Sequence, residues 1–348
     1  MRLGIIARSD NTGLGNQTRN LVNMLEPDRI LLIDSTPFNE NKQHPEWYFG
    51  YDCITTSQGF ATREEIVRFL DGLDVVLTCE SFYSSMFLSL AHKRNVKTIL
   101  QYNYEFLDLV VDPNQRMPSI LLSPSVWNIE QVEKVLGDLT KVVYLPPPID
   151  PVAFSSQREI NMSKTHNRIL HIAGKFASKD RNGTSTVIDM LKYSSADYEL
   201  VIKSQTPIET DYNDSRLTID VSNTENHADL YSGYDAMVLP RRYAGLCLPM
   251  NEALMSALPV FMTDISPNNF ILPVEWLIES KKIDRLLTRM TLDVYGADPI
   301  KLAKRIDDYV NNIDKEKEKK KAYDIGMQNF YVDTLKGKYL SVIKDVVS

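Results

Sequence analysis

Short apolar runs alternate with amphipathic stretches along nearly the whole chain. LGIIAR (3–8), ILLID (30–34), DVVLTC (74–79), VKTILQY (96–102), SILLSPS (119–125) and KVVYLPP (141–147) read as buried strands. RILHIAG (168–174), YELVIKS (198–204), RLTIDVS (216–222), Asp235 to Pro240 and Pro259 to Asp264 continue the series. Helical periodicity fills the gaps: from the NTGLGNQ loop to about Leu25, around 63–71, through SSMFLSLAHKR, from Trp127 to about Leu136, from Thr184 to Lys192, at 226–232 and from Met250 to Ala257. Strands without internal alternation, separated by helices, imply parallel pairing with right-handed crossovers. Residues 35–62, rich in Pro, Asn and Tyr, read as irregular, and the polar stretch 151–167 reads as linker. The tail from Pro299 is helical, with its last helix at about Asp333 to Val347.

Pro146-Pro147-Pro148 can continue neither a strand nor a helix, so it marks a hinge. A chain of 348 residues is too long for one ordinary core. The expected architecture is α/β, with two facing Rossmann-like domains. Residues 1–150 together with 333–348 form the first domain, the last helix crossing back to it. Residues 151–332 form the second domain. The cleft between them is the default binding site.

Composition narrows the class only slightly. The chain is 43% hydrophobic and 24% charged, as soluble globular proteins are. No apolar run approaches the ~20 residues of a membrane span. Met1 leads directly into a strand, without a signal peptide. The three cysteines, Cys53, Cys79 and Cys247, have no metal-ligand spacing, and Cys79 and Cys247, in apolar contexts, read as reduced thiols, which points to the cytoplasm. A net charge of −7 argues against broad non-specific binding to nucleic acid. Of two basic clusters, His92-Lys93-Arg94 with Lys97 stands in a helix–strand turn. Lys315 to Lys321 reads as a solvated helix face.

The stretch 235–264 carries the most chemistry. A strand, a loop with Gly245, a helix whose first turn holds Glu252, and a second strand build a pocket at the carboxyl edge of a parallel sheet. A carboxylate there offsets the helix dipole and can accept both hydroxyls of a ribose. Taken alone, it is an ordinary helix-start residue.

The order of residues in RRYAGLCLPMNEALMSALPV resembles the segment S-R-Y-E-G-F-G-L-P-x-x-E-A-(M/L)-A-x-G-x-P-V of retaining GT-B glycosyltransferases of the family 4-like group. It is most similar to a phage-type subgroup. The resemblance implies a nucleotide-sugar co-substrate, most simply a UDP-sugar, with no tightly bound cofactor and no metal. Glu252 becomes the ribose ligand. The first carboxylate of the family's pair falls on Ala244, which implies a smaller donor sugar such as a pentose, a shifted pose, or a main-chain amide near Gly245 or Leu246 acting alone. Gly174 to Gly183 matches the family's diphosphate-binding stretch, with Lys175 and Arg181 as the counterparts and Lys179 as a competitor; cations there stabilise the leaving group. Lys203, Arg242, Leu246 and Cys247 complete the donor set, together with Gly13 and Gly15 of the first loop. On the acceptor side stand Asn11, Glu80, Tyr102, Tyr104 and Glu105. Each of the acids could equally cap the next helix. Glu80 joins Lys175 and Arg181 as a candidate catalytic residue. The mechanism implied is front-face transfer, in which the leaving phosphate takes the acceptor proton. The expected acceptor is a hydroxymethylated pyrimidine in phage DNA. A surface polysaccharide or lipid-linked glycan is the rival, and a non-catalytic nucleotide-sugar-binding protein or an epimerase are readings from other classes.

Overall fold

A computed structural model describes residues 1–37, 42–107, 116–176, 180–222, 224, 226–243 and 245–348. The chain divides into two compact units, Met1–Pro148 with Val332–Ser348, and Ile149–Tyr331.

The first unit runs β1 (Leu3–Arg8), α1 (Gly13–Leu25), β2 (Arg29–Ile33), β3 (Cys53–Thr55), α2 (Arg63–Leu70), β4 (Val75–Cys79), α3 (Phe87–Lys93), β5 (Lys97–Gln101), β6 (Ile120–Ser123), α4 (Ile129–Leu136) and β7 (Lys141–Tyr144). Its seven strands pair in the order β3-β2-β1-β4-β5-β6-β7, all parallel. Alternation along β1 divides the core. Leu3, Ile5 and Ala7 face a cluster with residues of α1, while Ile6 faces one with residues of α2 and α3.

The second unit runs α5 (Ser155–Ser163), β8 (Arg168–Gly174), α6 (Thr184–Met190), β9 (Glu199–Ser204), β10 (Leu217–Asp220), β11 (Ala236–Leu239), α7 (Leu248–Met255), β12 (Val260–Thr263), α8 (Asn268–Ile271), β13 (Leu277–Ile278), β14 (Ser280–Leu287), β15 (Thr291–Ala297), α9 (Pro299–Asn312) and α10 (Lys315–Phe330). Six strands pair in parallel in the order β10-β9-β8-β11-β12-β13, and β14 and β15 form a separate antiparallel hairpin. The last helix, α11 (Val332–Val347), belongs to the first unit, where Leu335, Tyr339 and Ile343 enter the α1 side of the core.

Four expectations change. The irregular stretch 35–62 supplies β3, whose Ile54 pairs with Leu31 at the sheet edge. The linker 151–167 contains α5, held by Asn161, which donates to the carbonyls of Tyr231 and Ser256, both at 2.8 Å. The β14–β15 hairpin has no counterpart in the sequence reading, because its charged alternation resembles loop. The 315–321 run is not wholly solvated: Lys319 is buried and bonds Asp235 at 2.7 Å and the Asn161 carbonyl at 2.6 Å.

Candidate active site

In the second unit the strand order reverses between β8 and β11, so the loops leaving their carboxyl ends diverge and open a crevice. One loop runs from Gly174 to α6, the other from Pro240 to α7. They are pinned where they part. Arg242 N–H donates to the Arg181 carbonyl at 2.9 Å. Gly183, at φ +72°, lies so close to β11 that a Cβ would stand 2.4 Å from the Pro240 carbonyl oxygen. Asp180 accepts from the N–H groups of Thr184 at 2.7 Å and Ser185 at 2.9 Å, and so fixes the start of α6. Asn182 donates to the carbonyls of Ile172 and Ala173.

The crevice is a cavity of about 530 Å³ whose polar wall includes Lys175, Arg181, Asn182, Arg241 and Tyr243. Leu246 and Cys247 supply its apolar side. The Arg181 guanidinium lies 5.6 Å from the centre of the Tyr243 ring. Arg241 is only 6% exposed. Its Nη1 donates to the Leu246 carbonyl at 2.9 Å, and its Nε has no partner among the described residues. Among the described residues the one carboxylate on this wall is Asp180, already engaged by α6. The cavity is therefore rich in hydrogen-bond donors and poor in free acceptors, which suits an anionic ligand.

Glu252 stands elsewhere than expected. Pro249, lacking an N–H, is accommodated in the first turn of α7, so the helix begins at Leu248 and Glu252 lies beyond that turn. Its carboxylate is buried and does not line the cavity. Oε2 accepts from the Tyr231 hydroxyl at 2.5 Å and meets His227 Nε2 at 3.0 Å, whereas Oε1 has no hydrogen bond among the described residues. His227 and Tyr231 flank one short turn, His227–Tyr231, and nothing in its periodicity separates them from ordinary packing aromatics. Arg241 carries no signal of its own in the sequence, because the cavity exists only where β8 and β11 are neighbours.

Other donor candidates do not meet at the cavity. Lys203 bonds Asp220 across β9 and β10, and this contact, with Ser222, holds the Asp220 carboxyl down at about 2. Arg242 lines a second cavity of about 530 Å³ with Ser185, Thr186, Lys281 and Lys301, and its carbonyl accepts Tyr295 N–H at 2.8 Å, tying the hairpin to the loop. Gly245 is buried in that loop. Lys179 and Ala244 lie outside the described residues.

In the first unit, strand order reverses between β1 and β4. Asp10 follows β1, fully buried. Burial opposes its charge, but hydrogen bonds from Ser35 and Thr12 and the Arg8 guanidinium at 2.6 Å outweigh that and hold its carboxyl below the usual range. Gly15 packs closely against this residue: a Cβ there would stand 1.9 Å from the Asp10 carbonyl oxygen. Gly13 is the exposed first residue of α1, and Asn11 accepts from Asn16 at 3.4 Å. Glu80 follows β4 at φ +64°, a conformation that costs a non-glycine residue about 1 kcal/mol or more. Tyr102 and Glu105 are buried; Tyr104 donates to Gln131 at 2.7 Å and packs edge-on against Trp127. Both tyrosine rings are buried. The 92–97 cluster lies at the amino edge of the sheet, where Lys97 pairs with Val75, away from the strand ends that carry Glu80 and Tyr102.

Among the described residues no three His, Cys, Asp or Glu side chains gather as metal ligands, and no helix is long and apolar enough to cross a membrane. No protein-family model matches the chain, and no curated protein matches it in sequence. Solved structures do match. HepE of Anabaena, in complex with UDP and glucose, is similar over 99% of this chain and 100% of its own, at 10% identity and a TM-score of 0.68. Sucrose-phosphate synthase of Thermosynechococcus elongatus matches over 99% of both chains at 11% identity and a TM-score of 0.67. A glycosyltransferase of Rickettsia africae covers 100% of this chain and 98% of its own, at 13% identity and a TM-score of 0.69. These likenesses establish the fold, which is that of GT-B glycosyltransferases.

Proposed function

We propose that the chain is a glycosyltransferase that moves a sugar from a nucleotide diphosphate, UDP being the simplest choice, to an acceptor hydroxyl with retention of configuration. One observation carries the reading: Lys175, Arg181 and Arg241 line a single cavity at the β8/β11 switch point, with no free carboxylate opposing them among the described residues. That is the lining a diphosphate requires as it leaves. HepE, of the same fold, binds UDP.

In this reading Lys175 and Arg181 take the phosphate oxygens, and Glu252, braced by Tyr231 and His227, offers Oε1 to a ribose hydroxyl. The bond from the anomeric carbon to the phosphate oxygen breaks as the bond to the acceptor oxygen forms on the same face. The released phosphate oxygen takes the acceptor proton. Glu80, at the end of β4, is proposed to orient that acceptor.

Alanine at position 244 leaves no carboxylate there to hold a sugar hydroxyl. This fits a pentose, and it fits a sugar whose own charge provides the grip. For the acceptor, the 92–97 cluster lies at the amino edge of its sheet, away from Glu80, so it lends DNA no support over a glycan hydroxyl. Isothermal titration with UDP, followed by hydrolysis of a labelled UDP-sugar panel, tests the reading. Binding that weakens at least about tenfold in Lys175→Ala and Arg181→Ala supports it. Absence of UDP binding removes it.

A further inference from the structure

We propose that the transferred sugar is an acidic one, of the hexuronic acid class, and that Arg241 binds its carboxylate. The inference rests on the nucleotide-sugar reading above and names the substrate class of that same cavity.

The two loops of the crevice divide the cations. Lys175 and Arg181 come from the β8 side, where Gly174 turns the chain at φ +65° and leaves room for a diphosphate. Arg241 comes from the β11 side, on the loop that continues to Leu246 and Cys247. That loop, from Arg241 through Asn251, contains two arginines and no acidic residue. A neutral sugar is usually gripped by carboxylates that accept its hydroxyl protons. Here the wall offers donors instead.

Arg241 is built in rather than draped over the surface. It is 6% exposed, its carbonyl accepts the Thr263 hydroxyl, and its Nη1 is fixed on the Leu246 carbonyl. The guanidinium is thus desolvated and anchored, and Nε is buried without a partner among the described residues. A buried cation with an unsatisfied N–H is unfavourable until an anion supplies the missing acceptor. A planar carboxylate matches the fork of a guanidinium with two parallel bonds. A pentose or a neutral hexose supplies neither charge nor planar geometry. Arg242, on the same loop, lines the second cavity, so the two arginines serve different spaces.

UDP-xylose and UDP-glucuronate differ only by the carboxylate on C5, which makes them the matched pair for the test. Calorimetry on the full chain measures UDP, UDP-xylose, UDP-glucose and UDP-glucuronate. The expected result is UDP-glucuronate at least about tenfold tighter than both neutral donors. In Arg241→Gln the ratio falls to near one, and in Arg241→Lys, which keeps charge but not the fork, it falls part of the way. Thermal melts establish that each variant is folded; if Arg241→Gln is not, the wild-type panel and Arg241→Lys decide. UDP binding with equal affinity for acidic and neutral donors overturns the proposal and leaves the nucleotide-sugar reading standing, as does an acid preference that survives in Arg241→Gln. Failure of UDP itself to bind overturns both.

Discussion

The hydroxyl of Tyr231 lies 2.5 Å from Oε2 of Glu252, inside the second unit, and both side chains are buried. The short contact fixes one carboxylate oxygen and leaves the other open. His227 shares the same oxygen at 3.0 Å. Burial, together with the neighbouring carboxylate, raises the Tyr231 phenol well above its ordinary value, so the proton stays on tyrosine. If this bracing aims Oε1 at a ribose, Tyr231→Phe weakens UDP binding about three- to tenfold. His227→Ala acts in the same direction, and His227→Gln restores part of the loss through its amide N–H. Calorimetry with UDP reads the effect. UDP affinity unchanged in both Tyr231→Phe and His227→Ala contradicts the bracing role.

Gly183→Ala places a methyl against the Pro240 carbonyl at a backbone angle that disfavours any side chain. The strain is expected to cost about 1–3 kcal/mol, read as a lower Tm. Because this turn carries Arg181 and meets the Arg242 loop, UDP affinity falls as well. A variant as stable as the parent shows that the two loops do not meet this closely.

Lys319 and Asp235 form a buried ion pair at 2.7 Å. Asp235 also accepts from the N–H groups of His166 and Asn167, so it remains solvent-shielded when lysine is removed. Lys319→Met is expected to destabilise by about 3–5 kcal/mol, much of it from the stranded carboxylate. Adding Asp235→Asn recovers part of that loss. Chemical denaturation of the single and double variants measures the coupling; additive losses contradict it.

His171 is buried between the Val238 carbonyl at 2.8 Å and the Thr184 hydroxyl at 2.9 Å. Burial pushes its imidazole down to about 4 from 6.5. The unfolded chain therefore binds a proton at higher pH than the folded chain. The stability involved is fully present above pH 6.5 and is lost as pH falls towards 4, to a total of about 3 kcal/mol. Asp220, whose carboxyl is also held low, contributes its own loss only between 3.8 and about 2. Urea unfolding at a series of pH values checks this, with His171→Gln expected to flatten the limb between 6.5 and 4. A limb equally steep in that variant assigns the proton elsewhere.

Much of the fold is written in the chain because continuous apolar strands and amphipathic helices carry their period locally. β1, α1, β4 and β8 begin and end close to where the pattern places them. What escapes local pattern is decided by distant partners. β3 is an edge strand whose identity depends on Leu31 beside Ile54. α5 is a polar helix anchored by Asn161 to residues far along the chain. Lys319 looks like any lysine in a charged run until Asp235 is placed next to it. The same holds for the site. Lys175 and Arg181 are legible from the loop that follows β8, but Arg241 enters only when β11 becomes a neighbour of β8. Pro249 acts locally too: it is accommodated in the first turn of α7, so the helix starts at Leu248 and Glu252 lies beyond that turn. Lys203 was a reasonable strand-end cation, and the cross-strand Asp220 claims it.

The most direct measurement is a calorimetric titration of the full chain with UDP, repeated on Lys175→Ala and Arg181→Ala. Saturable binding to one site, lost or weakened at least about tenfold in each variant while the melting temperature holds, is the expected result. No heat of binding, or UDP affinity indifferent to both changes, contradicts a diphosphate in the cavity between β8 and β11.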